Sequence, residues 1–369
     1  MINFFQSRLG YRNMEAPVTY GQIVKQNTLS SSFHKEVSRW HHIKCIMNEA
    51  EKGLSYKEKA ELKTIFERWI LTLANDVEEG EDIIFSKRKI SLEYPATSKM
   101  VSELKDKKIP SPQSRYKPIL TYGNKFIALK SYPKSKLPVV LNSDTVQIND
   151  YTRTLPPGNL KILLAMNNNP EVLGAMIMRY ACTLMGGRQW TSPLDIYQYV
   201  VDRYKVTVEA FASPMNAQIL YLNDPISHVK LGYCSIFPDT DAPYGSMGDF
   251  FKVDLVGKHV FANPPRIDNI ILPVVQRMIQ TCKRASDSFV RFIIEVPEWT
   301  DAEYYITLTN SPFKVFDHSF GKGQHYFVDT TDKFKKSIAY FNTHLFVLSV
   351  NVDDTYDDLI NFMETLYKS

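Results

Sequence analysis

Apolar residues recur at helical spacing near the start of this chain and at strand spacing through its second half. Phe33, Val37, Trp40, Ile43 and Met47 share one face and predict a helix over 33–51, with Ser30-Ser-Ser32 as its cap. Ala60, Leu62, Ile65, Trp69 and Leu73 predict a second over 56–77, completing a helical hairpin. Short β-like runs follow at Ile83-Ile-Phe85, Ile90-Ser-Leu92 and Ile119 to Lys130, where Tyr122-Gly-Asn-Lys125 reads as a hairpin turn. Pro156-Pro-Gly158 closes that region. Residues 159–187 read as apolar and helical up to Gly186-Gly187, and Ser192-Pro193 caps a further helix reaching Val201.

From Lys205 onward strands and helices alternate. Strands are expected at Val206–Phe211, Val260–Ala262, Phe289–Val296, His325–Val328 and Thr343–Val350, with helices at 270–282 and 355–367. Alternation of this kind implies an α/β fold with a mainly parallel sheet covered on both faces, whose ligands bind at the carboxyl ends of the strands. Glu209 and Asn263 both fall at such ends. The expected organisation is a helical domain with a basic linker over 1–115, a β-hairpin and helical connection over 116–200, and a core over 201–369.

Composition adds limits. With 369 residues, 44% hydrophobic and 23% charged, the chain is long enough for two cored domains. No apolar run approaches a membrane span, and the N-terminus lacks a signal-peptide layout. Cys45, Cys182, Cys234 and Cys282 lie far apart without a CxxC pair, so free thiols in a reducing compartment are expected and no metal site. His34 and His41 have a spacing that metals can use, but no matching carboxylate or cysteine accompanies them.

Charge is concentrated. Lys87 to Lys136 carries thirteen Lys/Arg against three acids, a balance of +10 in a chain of net +4, leaving −6 for the remainder. Tyr94, Tyr116, Tyr122, Phe126 and Tyr132 interleave with it. A cationic, aromatic surface suits RNA phosphates and bases, through Lys87, Arg88, Lys89, Lys107, Lys108, Arg115, Lys117, Lys134 and Lys136. A solvated lysine-rich connection accounts for the same residues equally well.

The sharpest chemical signal is Lys258-His-Val-Phe-Ala-Asn-Pro-Pro-Arg266. Two consecutive prolines cannot extend a strand, so it ends at Asn263. The Asn263 side-chain carbonyl and the backbone carbonyl of Pro264 then make an acceptor pair for one amino group, as in methyltransferases acting on the exocyclic amines of nucleobases. A proline-rich turn after a buried strand is the plain alternative. Val208 to Asn216 offers a strand and a turn of small residues that lets a cofactor approach, with Glu209 as an acceptor, though it is not glycine-rich. Asp239 and Asp241 are turn-capping residues or ligands of cofactor hydroxyls.

These residues carry a resemblance. Glu209-Ala-Phe-Ala-Ser-Pro-Met-Asn216, Tyr233 to Asp241, Tyr244 to Phe251, Asn263-Pro-Pro265, Phe292 to Trp299, Gly323-Gln-His325 and Asn342 to Phe346 are similar, in order and spacing, to the phosphorylated-CTD-interacting-factor family. The likeness covers roughly residues 200 to 350; the WW domain of the family's animal members has no counterpart before residue 33. It implies a class I S-adenosylmethionine-dependent methyltransferase (Rossmann-like) core acting on N6 of the (2′-O-methyl)adenosine next to an mRNA cap. Asn263, Pro264, Pro265 and Arg266 would be catalytic, and Glu209, Phe211, Ala212, Ser213, Pro214, Asn216, Asp239 and Asp241 would hold S-adenosylmethionine. Capped RNA beginning with adenosine is the expected partner, with transcription or capping machinery besides, for a monomer of the nucleus or, in viral members, the cytoplasm.

One departure is visible. Arg266 stands where the family motif has an aromatic residue that stacks on the target adenine. The guanidinium itself can stack or meet phosphate, or Phe250 or Trp299 takes over that role. The departure also leaves open an inactive cap-binding or scaffold protein, and an adenine N6-methyltransferase for another nucleic acid is a further alternative.

Overall fold

The expected helical hairpin forms from Leu29–Ala50 and Tyr56–Asn75, the latter opened by a capping box between Ser55 and Glu58. The computed structural model describes residues 29–76, 78, 81–183, 189–222, 230–330 and 335–369; the Gly186-Gly187 cap signal lies outside them. Two more helices, Pro95–Asp106 and Pro112–Ile127, complete the first unit around Leu62, Phe66, Trp69, Leu104 and Ile119.

Pro112–Ile127 replaces the hairpin expected at Ile119 to Lys130. Tyr116, Ile119, Gly123 and Phe126 are buried at helical spacing, and that period prevails over the Tyr122-Gly-Asn-Lys125 turn signal. Gly123 allows close approach, since a Cβ there would make a tight contact, 3.3 Å, with the end of the Ile90 side chain. The runs at 83–85 and 90–92 are turns and loop, not strands; Ile84, Phe85 and Ile90 pack singly into the helical core. Residue 115, the expected edge of the helical domain, lies inside a helix.

A small antiparallel sheet follows, made of β1 (Val139–Asn142), β2 (Thr145–Ile148) and β3 (Tyr151–Thr154). The helix expected over 159–187 is two, Asn159–Met166 and Pro170–Thr183. Asn167 and Asn169 turn the chain between them, their side-chain carbonyls accepting the N–H groups of Asn169 and Glu171. Strand β4 (Trp190–Thr191) leads into the helix Leu194–Tyr204, whose N-cap residue is Pro193 with no side-chain cap.

The second half forms β5 (Val208–Glu209), β6 (Gly232–Tyr233), β7 (His259–Ala262), β8 (Val290–Pro297), β9 (Lys314–Phe320), β10 (Tyr326–Asp329), β11 (Lys335–Ile338) and β12 (Thr343–Val350). Six of them make one sheet in the order β6-β5-β7-β8-β12-β9. The run β6-β5-β7-β8 is parallel, and β12 lies antiparallel between β8 and β9. The expected mixed α/β architecture is therefore present. Period-two alternation sorts the strand residues between two covered faces. Val260, Ala262, Phe292, Ile294 and Leu348 pack under the helices Asp268–Arg284 and Glu303–Thr309, while Phe261, Ile293 and Leu345 pack under Leu194–Tyr204 and Asp357–Lys368. The remaining sheet, β11-β10-β4, brings Trp190 beside Phe327 at the edge of the core.

Candidate active site

Strand β7 is buried through Ala262 and then stops, because neither Pro264 nor Pro265 can donate to a ladder. Half-buried Asn263 projects at this carboxyl end, next to β5, which pairs with β7 through Val208 and Glu209. Its amide donates to the Ser192 hydroxyl at 3.2 Å, and its carbonyl accepts from the Arg266 guanidinium at 3.3 Å. The Pro264 carbonyl has no hydrogen-bond partner among the described residues. One lone pair of the Asn263 carbonyl is therefore engaged within the protein, and Pro264 itself is buried.

Arg266 does not face outward. Its guanidinium lies 4.0 Å from the centre of the Phe327 ring, 5.2 Å from Trp190 and 5.4 Å from Phe341, where burial pushes it down to about 10. Phe250 is buried against Phe211 at 4.7 Å, and Trp299 is exposed two residues beyond the end of β8. Ser192 and Glu295 are at the site although neither was nominated from the sequence. Ser192 donates to the Glu295 carboxylate instead of capping a helix. Burial raises Glu295 to about 7, against the opposing pull of Ser192 and Arg266. The available signal was a lone carboxylate inside the apolar run Val290-Arg-Phe-Ile-Ile-Glu-Val296.

The cofactor candidates divide. Glu209 is buried, accepts the Ile219 N–H at 3.1 Å, and is pushed up to about 8 by burial, so its carboxyl secures the next turn. Asn216 Oδ1 accepts from the Ser213 N–H and hydroxyl across a tight turn at 2.6 and 2.9 Å, and the Pro214 carbonyl accepts from the Asn159 side-chain amide. Phe211 and Ala212 are half-buried at the end of β5. Asp241 is buried, bonded to Tyr180 at 2.6 Å and raised to about 7 by burial. Asp239 keeps its side chain 57% exposed while bonded to Arg179 at 2.9 Å. Arg179 in turn grips Glu36 at 2.8 Å, which joins the short helix Pro238–Asp241 after β6 to the first helix.

The basic candidates divide in the same way. Lys87, Lys108, Lys117, Lys134 and Lys136 are exposed, while Arg88 pairs with Glu81 and Lys107 with Glu61. Lys89 and Arg115 are corrections to the surface expectation. Lys89 is fully buried, its ammonium on the Leu73 carbonyl at 3.1 Å and on Glu81 at 3.4 Å. Arg115 ties the carbonyls of Ala50, Lys52 and Pro110 together. Long stems allow both charges to reach inward and close helix ends.

Comparison with known proteins points the same way as the strand-end chemistry. The family described as "Phosphorylated CTD interacting factor 1 WW domain" matches residues 166–330. Proteins named mRNA (2'-O-methyladenosine-N(6)-)-methyltransferase from Mus musculus and Homo sapiens are 28% and 29% identical over 115 residues. Each alignment spans 31% of this chain and 15% of the relative's length. The matched residues 166–330 carry the Asn263 corner and the strands beside it, so the likeness to the phosphorylated CTD interacting factor family falls on the part of the chain that holds this site.

Proposed function

We propose that this chain transfers a methyl group from S-adenosylmethionine to N6 of the adenosine adjoining an mRNA cap. The observation that carries the reading is the Asn263–Pro264 acceptor pair at the carboxyl end of β7. The parallel strands reverse their order at this point: β5, first in sequence, has β6 on one side and β7 on the other. A crevice at such a switch point is where open α/β sheets hold their ligands, which supports a class I methyltransferase core. The relatives' names supply the reaction and the substrate.

The residues present fit the cofactor. Half-buried Phe211 and Ala212 give an apolar, small-residue wall at the end of β5, and the exposed Asp239 oxygens can accept from ribose hydroxyls. S-adenosylmethionine, when bound, supplies an electrophilic methyl on a sulfonium. Asn263 keeps a second lone pair on its side-chain carbonyl, and Pro264 offers its backbone carbonyl. Accepting the two N–H bonds of adenine's amine, they direct its lone pair away from themselves and fix its position. Once methylated, the amine is acidic enough to release its proton to water, so no general base is required. The exposed Lys87, Lys108, Lys117, Lys134 and Lys136 neutralise RNA phosphate and the cap triphosphate.

Arg266 favours one other reading, because its guanidinium occupies part of the Asn263 acceptor: a capped-RNA binder without turnover. Labelled methyl transfer to short capped and uncapped RNAs beginning with adenosine decides between them. Cap-dependent labelling that falls about 100- to 1000-fold in Asn263→Ala supports the enzyme. No labelling, from protein that still binds capped RNA, leaves the binder.

A further inference from the structure

Asn263 presents its carbonyl usefully only if its amide is prevented from turning over. A rotation of 180° would put the NH2 group where the substrate amine must be accepted, and a donor would face a donor. The contacts around Asn263 carry the information that decides between these orientations. Its NH2 group lies against the Ser192 hydroxyl at 3.2 Å, and that hydroxyl lies against the Glu295 carboxylate. A hydroxyl has one proton. While Glu295 is ionised, that proton goes to its carboxylate and the Ser192 oxygen can only accept from Asn263.

Both Ser192 and Glu295 are buried, so water does not compete for the proton. On the opposite side the amide carbonyl meets the Arg266 guanidinium, a pure donor held by Phe327, Trp190 and Phe341. A carboxylate at one end and a guanidinium at the other thus leave the amide a single orientation. Placement in the fold agrees: Glu295 pairs through the β8–β12 ladder, and Ser192 is fixed between β4 and the helix Leu194–Tyr204.

We infer that Glu295 and Ser192 are positioning residues, a hydrogen-bond relay that sets which atom of Asn263 faces the target amine. The inference rests on the methyltransferase reading for its consequence, but the orientation itself is measurable without turnover. The full chain, labelled with 15N-asparagine, gives an Asn263 side-chain NH2 resonance identified by its loss in Asn263→Ala. In the unaltered chain those protons exchange slowly with water. In Ser192→Ala and in Glu295→Leu, which leaves the Ser192 hydroxyl without its side-chain acceptor, they exchange at least about tenfold faster, as the loss of about 1.4 kcal/mol of hydrogen bonding dictates.

In the transfer assay the same two variants lower kcat about 10- to 100-fold with KM for capped RNA unchanged, the pattern of lost transition-state alignment. Unchanged exchange in both variants overturns the relay. So does unchanged kcat in both from an active parent. If the parent transfers no methyl group at all, the methyltransferase reading fails while the exchange data still judge the relay.

Discussion

Arg266 donates to the side-chain carbonyl of Asn263 at 3.3 Å across a span of three residues, so the two ends of the Asn263-Pro-Pro-Arg266 corner touch each other. The contact is possible because Phe327 takes the face of the guanidinium at 4.0 Å. Arg266 here acts within the protein, as a prop for the Asn263 corner.

Replacing Arg266 by lysine keeps the charge and removes the planar group that stacks. Stability is expected to fall by about 1–2 kcal/mol, the range of a partly desolvated cation–π contact. The midpoint of urea unfolding measures it. An unchanged midpoint would mean that the aromatic stack does not depend on the guanidinium.

Arg179 joins Glu36 of the first helix to Asp239 of the short helix Pro238–Asp241 after β6. Burial alone would raise Glu36, but Arg179 and Arg39 outweigh it and hold the carboxyl below its ordinary value. Arg179→Met removes one of the two cations from a buried carboxylate, and a loss of about 3–5 kcal/mol is expected. Asp239→Asn loses one of the two oxygens that accept from Arg179 and is expected to cost less, about 1–2 kcal/mol, because that side chain is more than half exposed, and to weaken S-adenosylmethionine binding about tenfold, the worth of one charge-assisted hydrogen bond. Calorimetry on both variants separates the structural part of the link from the ligand-binding part.

Stability depends on pH in a direction that the buried acids set. Burial raises Glu209 to about 8 and Asp241 and Glu295 each to about 7. A carboxyl that holds its proton more tightly folded than unfolded contributes stability below its ordinary pKa and loses it as pH climbs through the folded value. Glu36 and Asp82 are held below their ordinary values despite burial, by Arg179 and Arg39 and by Arg39 and Lys35 respectively, and their contribution is lost only in acid. The melting temperature is therefore expected to peak near about pH 5 and to decline toward about pH 8. His259 and His325, both lowered to about 4 by burial, act in the opposite sense below about pH 6.5, so the decline is expected chiefly between about pH 6.5 and 8, and a Tm that rises there would contradict the buried state of the three acids.

Two lysines from the same basic segment should behave differently. Lys117→Ala, at an exposed position, is expected to weaken capped-RNA binding a few-fold, to reduce the slope of log affinity against log salt by about one, and to leave Tm unchanged. Lys89→Met strips the Leu73 carbonyl and Glu81 of a buried partner and should lower stability by about 1–3 kcal/mol. Fluorescence titration and thermal melts on each variant check both.

Much of the second half was legible because its signals are local. Pro264 and Pro265 end β7 whatever surrounds them, since neither carries an N–H, and the apolar runs at 290–297 and 343–350 name their strands directly. The segment 119–130 misled because a Gly-Asn pair suits a turn, while the spacing of Tyr116, Ile119 and Phe126 suits a helix. Only burial against Ile90 and Phe85 decides between them. Strand β9 escaped detection because it is one-sided, alternating half-buried with exposed residues.

From its sequence alone, then, the chain determined the alternation of strand and helix, the corner at Asn263 and the presence of a concentrated basic segment. Tertiary structure decided which charges are free and which way Asn263 points. Lys89 and Lys117 are the same residue type, and only packing turns one inward. Ser192, Asn263 and Glu295 are separated by 71 and 103 positions from the shared serine. A hydrogen bond acts over about 3 Å regardless of chain distance, so their relay exists only once β4, β7 and β8 have been brought together.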